Sequence, residues 1–286
     1  MKNILLTIEY DGTNFHGWQI QPDVRTVQGE LESVLSAVCH SEIRLAGLSR
    51  TDAGVHAYGQ RASFCGDFSI PADRLMLAAN DRLGAGRLSA AARPGDVRIT
   101  AAAEVPEGFH ARHDAAGKKY IYRMLTAERP DVFLRDKYWQ IAERPDMDAM
   151  AAAAKHLIGR HDFNAFRAAG GKEPETTVRT VFGLAVYAGR DGAGRQTSTL
   201  EITGDGFLYN MVRIIAGTLF QAGTGKRPPE SVGAAIASKD RGHAGPTAPP
   251  QGLYLAEAYY NEEEMQAAAG RRYDAVFSRS TTMLKT

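Results

Sequence analysis

Ser49-Arg50-Thr51-Asp52-Ala53-Gly54-Val55-His56-Ala57 sets a single carboxylate between an arginine and a small, flexible Ala-Gly turn. The stretches on either side read as strands. Ile43 and Leu45 alternate with Arg44 before it, and Gln60-Arg61-Ala62-Ser63-Phe64 is a short, half-apolar run after it. A carboxylate held on such a strand-to-strand loop, with a cation two residues away, is suited to a polar task. The plain alternative is a solvated turn, since Asp and Gly are common turn residues.

Working outward, residues 3–10 read as a strand, followed by a turn-rich loop and a helix over 27–38. In that helix Val27, Leu31, Val34, Leu35 and Val38 recur at helical spacing, with Thr26 as N-cap. A second helix starts near Pro71, a residue suited to a first turn, and runs to about Leu83. Val97 to Val105 reads as a strand, and so does Lys118 to Leu125. Beyond these, the pattern predicts a helix over 146–158 with Asp146 as N-cap and Gly159 as its stop. Strands follow near 178–188 and 197–203, then a helix over 208–222 ending at Gly223 and a shorter one after Pro229. The simplest architecture is α+β, with two halves and a cleft between them. The boundary falls near residue 108, giving an N-terminal domain 1–107, a C-terminal domain 108–260 and a peripheral tail 261–286.

A chain of 286 residues allows one large or two ordinary domains, each able to bury a core. Cys39 and Cys65 make no disulfide framework and do not group with histidines at metal-ligand spacing, so no metal is expected and a reducing cytoplasm is the natural compartment. The N-terminus lacks the apolar core and cleavage site of a signal peptide, and no run reaches the roughly 18 apolar residues of a membrane span. A formal net charge of +1 gives no global basic excess for gripping nucleic acid. Any basic surface must be local. Its candidates are Arg25, Arg50, Arg61, Arg112, Lys118, Lys119, Arg123, Arg167, Lys172 and Arg179.

As a whole, the Asp52 string resembles the signature of the TruA family of tRNA pseudouridine synthases. Asp11-Gly12-Thr13-Asn14-Phe15-His16-Gly17-Trp18-Gln19 is similar to that family too. So are Gly108-Phe109-His110-Ala111-Arg112, Lys118-Lys119-Tyr120-Ile121-Tyr122-Arg123, His161-Asp162-Phe163, Asn210-Met211-Val212-Arg213 and Gly252-Leu253-Tyr254-Leu255. The blocks keep the family's order from about residue 3 to about residue 260. The resemblance implies two related α/β domains, ferredoxin-like or RRM-like, whose mixed, mainly antiparallel sheets join beneath a central active-site cleft. It implies isomerisation of uridine to pseudouridine in the anticodon arm of tRNA, at positions 38, 39 and 40, by a homodimer. No cofactor is expected, because the reaction exchanges no electrons or groups with one.

By the same resemblance Asp52 is the catalytic carboxylate, as nucleophile or as charge stabiliser of the ribose centre, with attack at uracil and at the sugar both open. A nucleophilic carboxylate should stay ionised, which favours a nearby cation. Arg50 fills the place of the flipped-out nucleotide, where a planar cation can stack and hydrogen-bond; a phosphate contact is the alternative. Tyr120 stacks on or contacts the target uracil, although a lone strand tyrosine is more often core, the role Tyr122 suits. His56, His110, Arg112 and His161 shape the cleft or touch phosphate without a catalytic role, and Trp18 and Gln19 hold their loop.

Arg213 can also be read without the resemblance, because it lies on an otherwise almost wholly apolar helix. At helical spacing it shares a face with Tyr209, Ala216, Gly217 and Phe220, which reads as packed. A buried guanidinium needs a partner. Asp52 is the one expected, a structural pair with another acid being the alternative. Two departures bear on this reading. The family has glycine where Ser49 stands, and a positive φ there would strain a serine. About ten extra residues, Gly84 to Arg93, interrupt the pattern as a surface excursion. A paralogue with altered targets, an RNA chaperone without the chemistry and a hydrolase using Asp52 are the rival readings; the last lacks a second acid, metal cluster or triad.

Overall fold

The computed structural model describes residues 1–86, 95–171 and 173–273. Lys172 and most of the Gly84–Arg93 excursion lie outside the described residues, as does the tail from 274 onward. The described chain is α+β and divides into two compact units. Met1–Ala115, Leu255–Ala258 and Tyr273 belong to the first, Ala116–Tyr254 and Tyr259–Arg272 to the second.

The first unit is built on β1 (Lys2–Tyr10), which is flanked on both sides. It pairs antiparallel with β3 (His56–Gly66) and with β4 (Val97–Val105), so Leu5 stands opposite Ser63 on one side and Ala103 on the other. Ile4, Leu6 and Ile8 are fully buried, as a central strand between two partners requires. Helix α1 (Val27–Cys39) starts where predicted, the Thr26 hydroxyl accepting the Gly29 N–H. It buries Val27, Leu31 and Leu35 completely, each contributing roughly 1.5–3 kcal/mol. Helix α2 (Ala72–Arg82) packs on β4, and the Asn80 side chain both donates to and accepts from the Ile99 backbone at 2.8 Å. Pro71 stands one place before the helix, with its φ of −65° already set for entry. A two-residue strand, β2 (Ala46–Gly47), pairs with β3 at Ser63 and Ala62.

In the second unit, β9 (Gln196–Gly204) lies between β5 (Gly117–Thr126) and β8 (Val178–Arg190), antiparallel to both. Strand β7 (Gly159–Asp162) continues the sheet beyond β8, and β6 (Trp139–Ile141) pairs parallel with β5. Helices α3 (Met147–Lys155), α4 (Met211–Gly223) and α5 (Ser231–Ser238) cover it together with α6 (Glu262–Ala269). The remaining strand, β10 (Leu253–Tyr259), has its central residues in the first unit and its ends in the second.

Two helix ends differ from expectation. Asp146 caps α3, accepting the Asp148 and Ala149 N–H groups, but the helix stops at Lys155. Gly159, expected as its stop, uses a φ of +107° to open β7 after an intervening turn. Helix α4 begins only at Met211, because Asn210 adopts a left-handed φ of 59° and breaks the helix there. Tyr209 is therefore off the helical face assigned to it and is 47% exposed.

Candidate active site

Within the first unit, the strings Asp11–Gln19 and Ser49–Ala57 interlock through the backbone. The Trp18 N–H donates to the Thr51 carbonyl at 3.0 Å, and the Gly54 N–H to the Phe15 carbonyl at 3.3 Å. His56, 2% exposed, receives the Gly12 N–H on Nδ1 at 3.0 Å and lies 3.2 Å from Asp11 Oδ1. The Tyr10 and Thr51 hydroxyls meet at 2.7 Å, the Thr51 side chain being buried. Glycine is required at two of these crossings. A Cβ on Gly12 would lie 2.0 Å from the Val55 carbonyl oxygen, and one on Gly17, at φ +88°, 2.6 Å from that of Thr51. Asp52 is consequently held at the tip of a loop fastened on both sides, half-buried beside exposed Ala53.

Ser49 brings no strain. Among the described residues, positive φ outside glycine occurs only at Asp23, His40, Asn210 and Lys239. Instead, Gln60 on β3 clamps Ser49, accepting its N–H at 3.2 Å and donating to its carbonyl at 2.8 Å. Trp18 is 1% exposed and fills the space over Gly47, where a Cβ would lie 2.3 Å from its indole nitrogen. Neither contact has a signal in the hydrophobic periodicity, because each joins residues far apart in sequence.

In the second unit, Tyr120 on β5 is 6% exposed and meets Phe207 edge-on at 5.3 Å. Tyr122, two residues along the same face, is fully buried and donates its hydroxyl to the Pro249 carbonyl at 2.8 Å. Burial pushes the Tyr122 phenol well above its ordinary range, against the opposing charge of Arg213. Arg213 is half-buried in the first turn of α4. Its Nε donates to the Ala248 carbonyl at 2.8 Å and its terminal nitrogen to Asn210 Oδ1 at 2.7 Å. The left-handed Asn210 thus supplies an acceptor as well as the helix break.

The expected basic surface thins considerably. Arg25 is matched by Glu30 at 2.7 Å and Asp96 at 2.6 Å; the hydrogen bond to Glu30 leads in raising its pKa. Lys119 is 1% exposed, donating to the Ala268 and Arg271 carbonyls and lying 3.5 Å from the buried Glu201. It holds the end of α6 and offers nothing to a polyanion. Arg61 is bound to Thr7 Oγ1, Arg167 pairs with Glu173 at 2.9 Å, and Arg179 donates to the Thr176 carbonyl at 2.9 Å. His161 holds the Ile158 carbonyl at 2.9 Å, and buried His56 is equally committed to the fold. By contrast, neither Arg50 nor Arg112 has a carboxylate partner among the described residues. No group of three His, Cys, Asp or Glu able to hold a metal occurs among them either, nor a helix long and apolar enough to cross a membrane.

Comparison with known proteins adds an independent line. A sequence model of the family described as tRNA pseudouridine synthase matches residues 6–114 and again residues 153–261. The tRNA pseudouridine synthase A of Ruminiclostridium cellulolyticum is 44% identical over 260 residues, covering 91% of this chain and all of that protein. That of Bacillus subtilis is 45% identical over 257 residues, 89% of this chain and 98% of the relative. That of Halalkalibacterium halodurans reaches 46% over 254 residues, 88% and 90% of the two chains. The double match falls on both units, in keeping with two related domains.

Proposed function

Since the chain belongs to the tRNA pseudouridine synthase family, we propose that it isomerises uridines in the tRNA anticodon arm, at positions 38, 39 and 40, with Asp52 as the nucleophile. The isomerisation of tRNA uridine to pseudouridine breaks the C1′–N1 bond, turns the uracil and joins C5 to C1′. In the final step a proton leaves C5, N1 gains one, and the carboxylate that attacked is released, so that substrate and product are isomers and the enzyme is unchanged. The four residues proposed for this chemistry act on one uridine. Asp52 attacks, and Arg213 neutralises the carboxylate. Arg50 occupies the space the flipped nucleotide leaves, offsetting part of the few kcal/mol that unstacking costs. Tyr120 stacks on the uracil, a contact worth about 1–3 kcal/mol.

The observation that carries the reading is the fastening of the Asp52 loop. A nucleophile must be held close to its productive geometry. The hydrogen bonds from Trp18 to Thr51 and from Gly54 to Phe15 bracket Asp52 on both sides. That is more constraint than a solvated turn needs. By analogy with the family, the working form is a cytoplasmic homodimer, which sedimentation of the free enzyme tests.

The decisive experiment is tritium release from C5-labelled uridines in a transcribed tRNA, wild type beside Asp52→Asn. Release by the wild type alone supports the assignment, and mapping the product positions tests the anticodon arm. Absence of release from several tRNAs by a folded, RNA-binding wild type favours the paralogue or the chaperone reading and removes this one.

A further inference from the structure

Arg112, His110 and His113 lie with Arg50 around a cavity of about 230 Å³ in the first unit, which Trp18, Gln19, Gln28 and Leu45–Gly47 complete. We propose that this cavity is a phosphate subsite that grips one backbone phosphate of the RNA substrate, with Arg112 as its main ligand. The RNA origin of that phosphate rests on the function proposed above; the anion site itself does not.

Charge is the first argument. The lining holds two guanidinium groups and two imidazoles but no carboxylate. Like charges gathered in this way favour an anion between them; the Asp114 carboxylate, which accepts the His110 backbone N–H at 2.7 Å, lies beside the lining and not in it. Burial first, and the nearby charge of Arg50 second, lower the Arg112 pKa. Elsewhere in this unit Arg25, Arg44, Arg74 and Arg98 each lie within 4 Å of a Glu or Asp carboxylate.

Geometry is the second. Arg112 is pre-positioned, because its Nε and one terminal nitrogen both donate to the Gly47 carbonyl at 3.1 and 2.9 Å. That leaves the guanidinium fixed in place, with donors to spare. A planar fork held in advance loses little entropy on meeting a phosphate. His110 is likewise fixed. Its Nδ1 accepts the backbone N–H groups of Arg112 at 3.1 Å and of His113 at 3.3 Å. The ring proton must then sit on Nε2, making the imidazole a hydrogen-bond donor. The His113 ring stands 4.2 Å away, and burial, His113 and Arg112 together lower the His110 pKa.

Size is the third. The volume is below the roughly 300–1,000 Å³ of pockets that enclose whole small molecules. It suits a single anionic group better than a nucleoside or a cofactor.

The test measures the affinity of a transcribed tRNA as a function of salt, for wild type, Arg112→Gln and His113→Glu. Loss of one phosphate contact should weaken binding about tenfold and reduce the slope of log K against log salt by about one. The loss should appear in KM more than in kcat. His113 is exposed, so a glutamate there tests the charge argument even if Arg112→Gln fails to fold. Folded variants with wild-type affinity and slope would overturn the proposal. Inorganic phosphate, titrated against the His110 and His113 ring resonances, separates the two sources of anion. Shifts there with an unchanged tRNA slope would mean a site for free phosphate and would overturn the RNA assignment. If the wild type releases no tritium but both variants weaken tRNA binding, the isomerase reading fails and the subsite stands.

Discussion

Trp18 donates its backbone N–H to the carbonyl of Thr51 at 3.0 Å, so the residue preceding Asp52 is positioned by the loop between β1 and α1. Gly17 makes that approach possible, with φ at +88° and no Cβ to meet the Thr51 oxygen. Gly17→Ala should therefore displace the Asp52 loop and cost about 1–3 kcal/mol in backbone strain. Thermal melting and tritium release should fall together. A variant with wild-type turnover would show that the crossing does not position Asp52.

Asp52→Asn keeps the size of the side chain and removes its charge. Tritium release should be abolished, while tRNA affinity changes by less than about threefold, the pattern of a group needed in the transition state alone. Filter binding beside the release assay separates the two. A substantial residual rate would remove Asp52 as nucleophile.

Arg213→Ala deletes the hydrogen bonds to Ala248 and Asn210 that anchor the start of α4. Both stability and activity should drop. A double-mutant cycle with Asp52→Asn, read by urea unfolding, tests their proposed pairing. A coupling energy above about 1 kcal/mol supports it, and one near zero disposes of it.

Lys119 and Glu201 are 1% and 4% exposed, with 3.5 Å between their charged atoms. Lys119→Met should destabilise the second unit by about 3–5 kcal/mol, because it removes the cation beside the buried Glu201, whose remaining hydrogen bond from the Tyr187 hydroxyl carries no charge, and frees the end of α6. Urea unfolding would reveal this. A loss below about 0.5 kcal/mol would show that the pair is not structurally important.

Asp162 accepts from Thr177 Oγ1 and lies 3.1 Å from Lys239 Nζ, and these partners, the threonine hydrogen bond foremost, lower its pKa. A depressed folded pKa means that the unfolded chain binds the proton more readily. The stability it contributes is thus full above the unfolded value of about 3.9 and is lost as pH falls through the folded value. Asp162→Asn should cost about 1 kcal/mol at neutral pH. The difference from wild type should shrink on acidification below pH 4 or so, as melting across pH 3–7 would show. A pH-independent difference would exclude the linkage.

The helices and strands were largely legible because their signals are local. The α1 stripe of Val27, Leu31 and Leu35, the Thr26 cap and the Asp146 cap depend on residues a turn or less apart. The two helix ends that differed turned on backbone conformations, at Asn210 and Gly159, that the apolar pattern does not encode. Lys119 looked like one more surface cation in a basic segment, yet it is enclosed under α6. Arg25 looked the same and is neutralised by Asp96, which arrives from the start of β4.

By itself, then, the sequence determined the α+β class, most of the elements, the family signature and the loop that carries Asp52. These follow from periodicity, caps and short strings of residues, all of which act over a few positions. Only the tertiary structure decided which charges are spent and which remain. Whether a cation is buried, paired or left beside another, as Arg112 is beside Arg50, depends on groups brought together by folding. The desolvation and pairing energies that govern this are long-range in sequence, and no local window contains them.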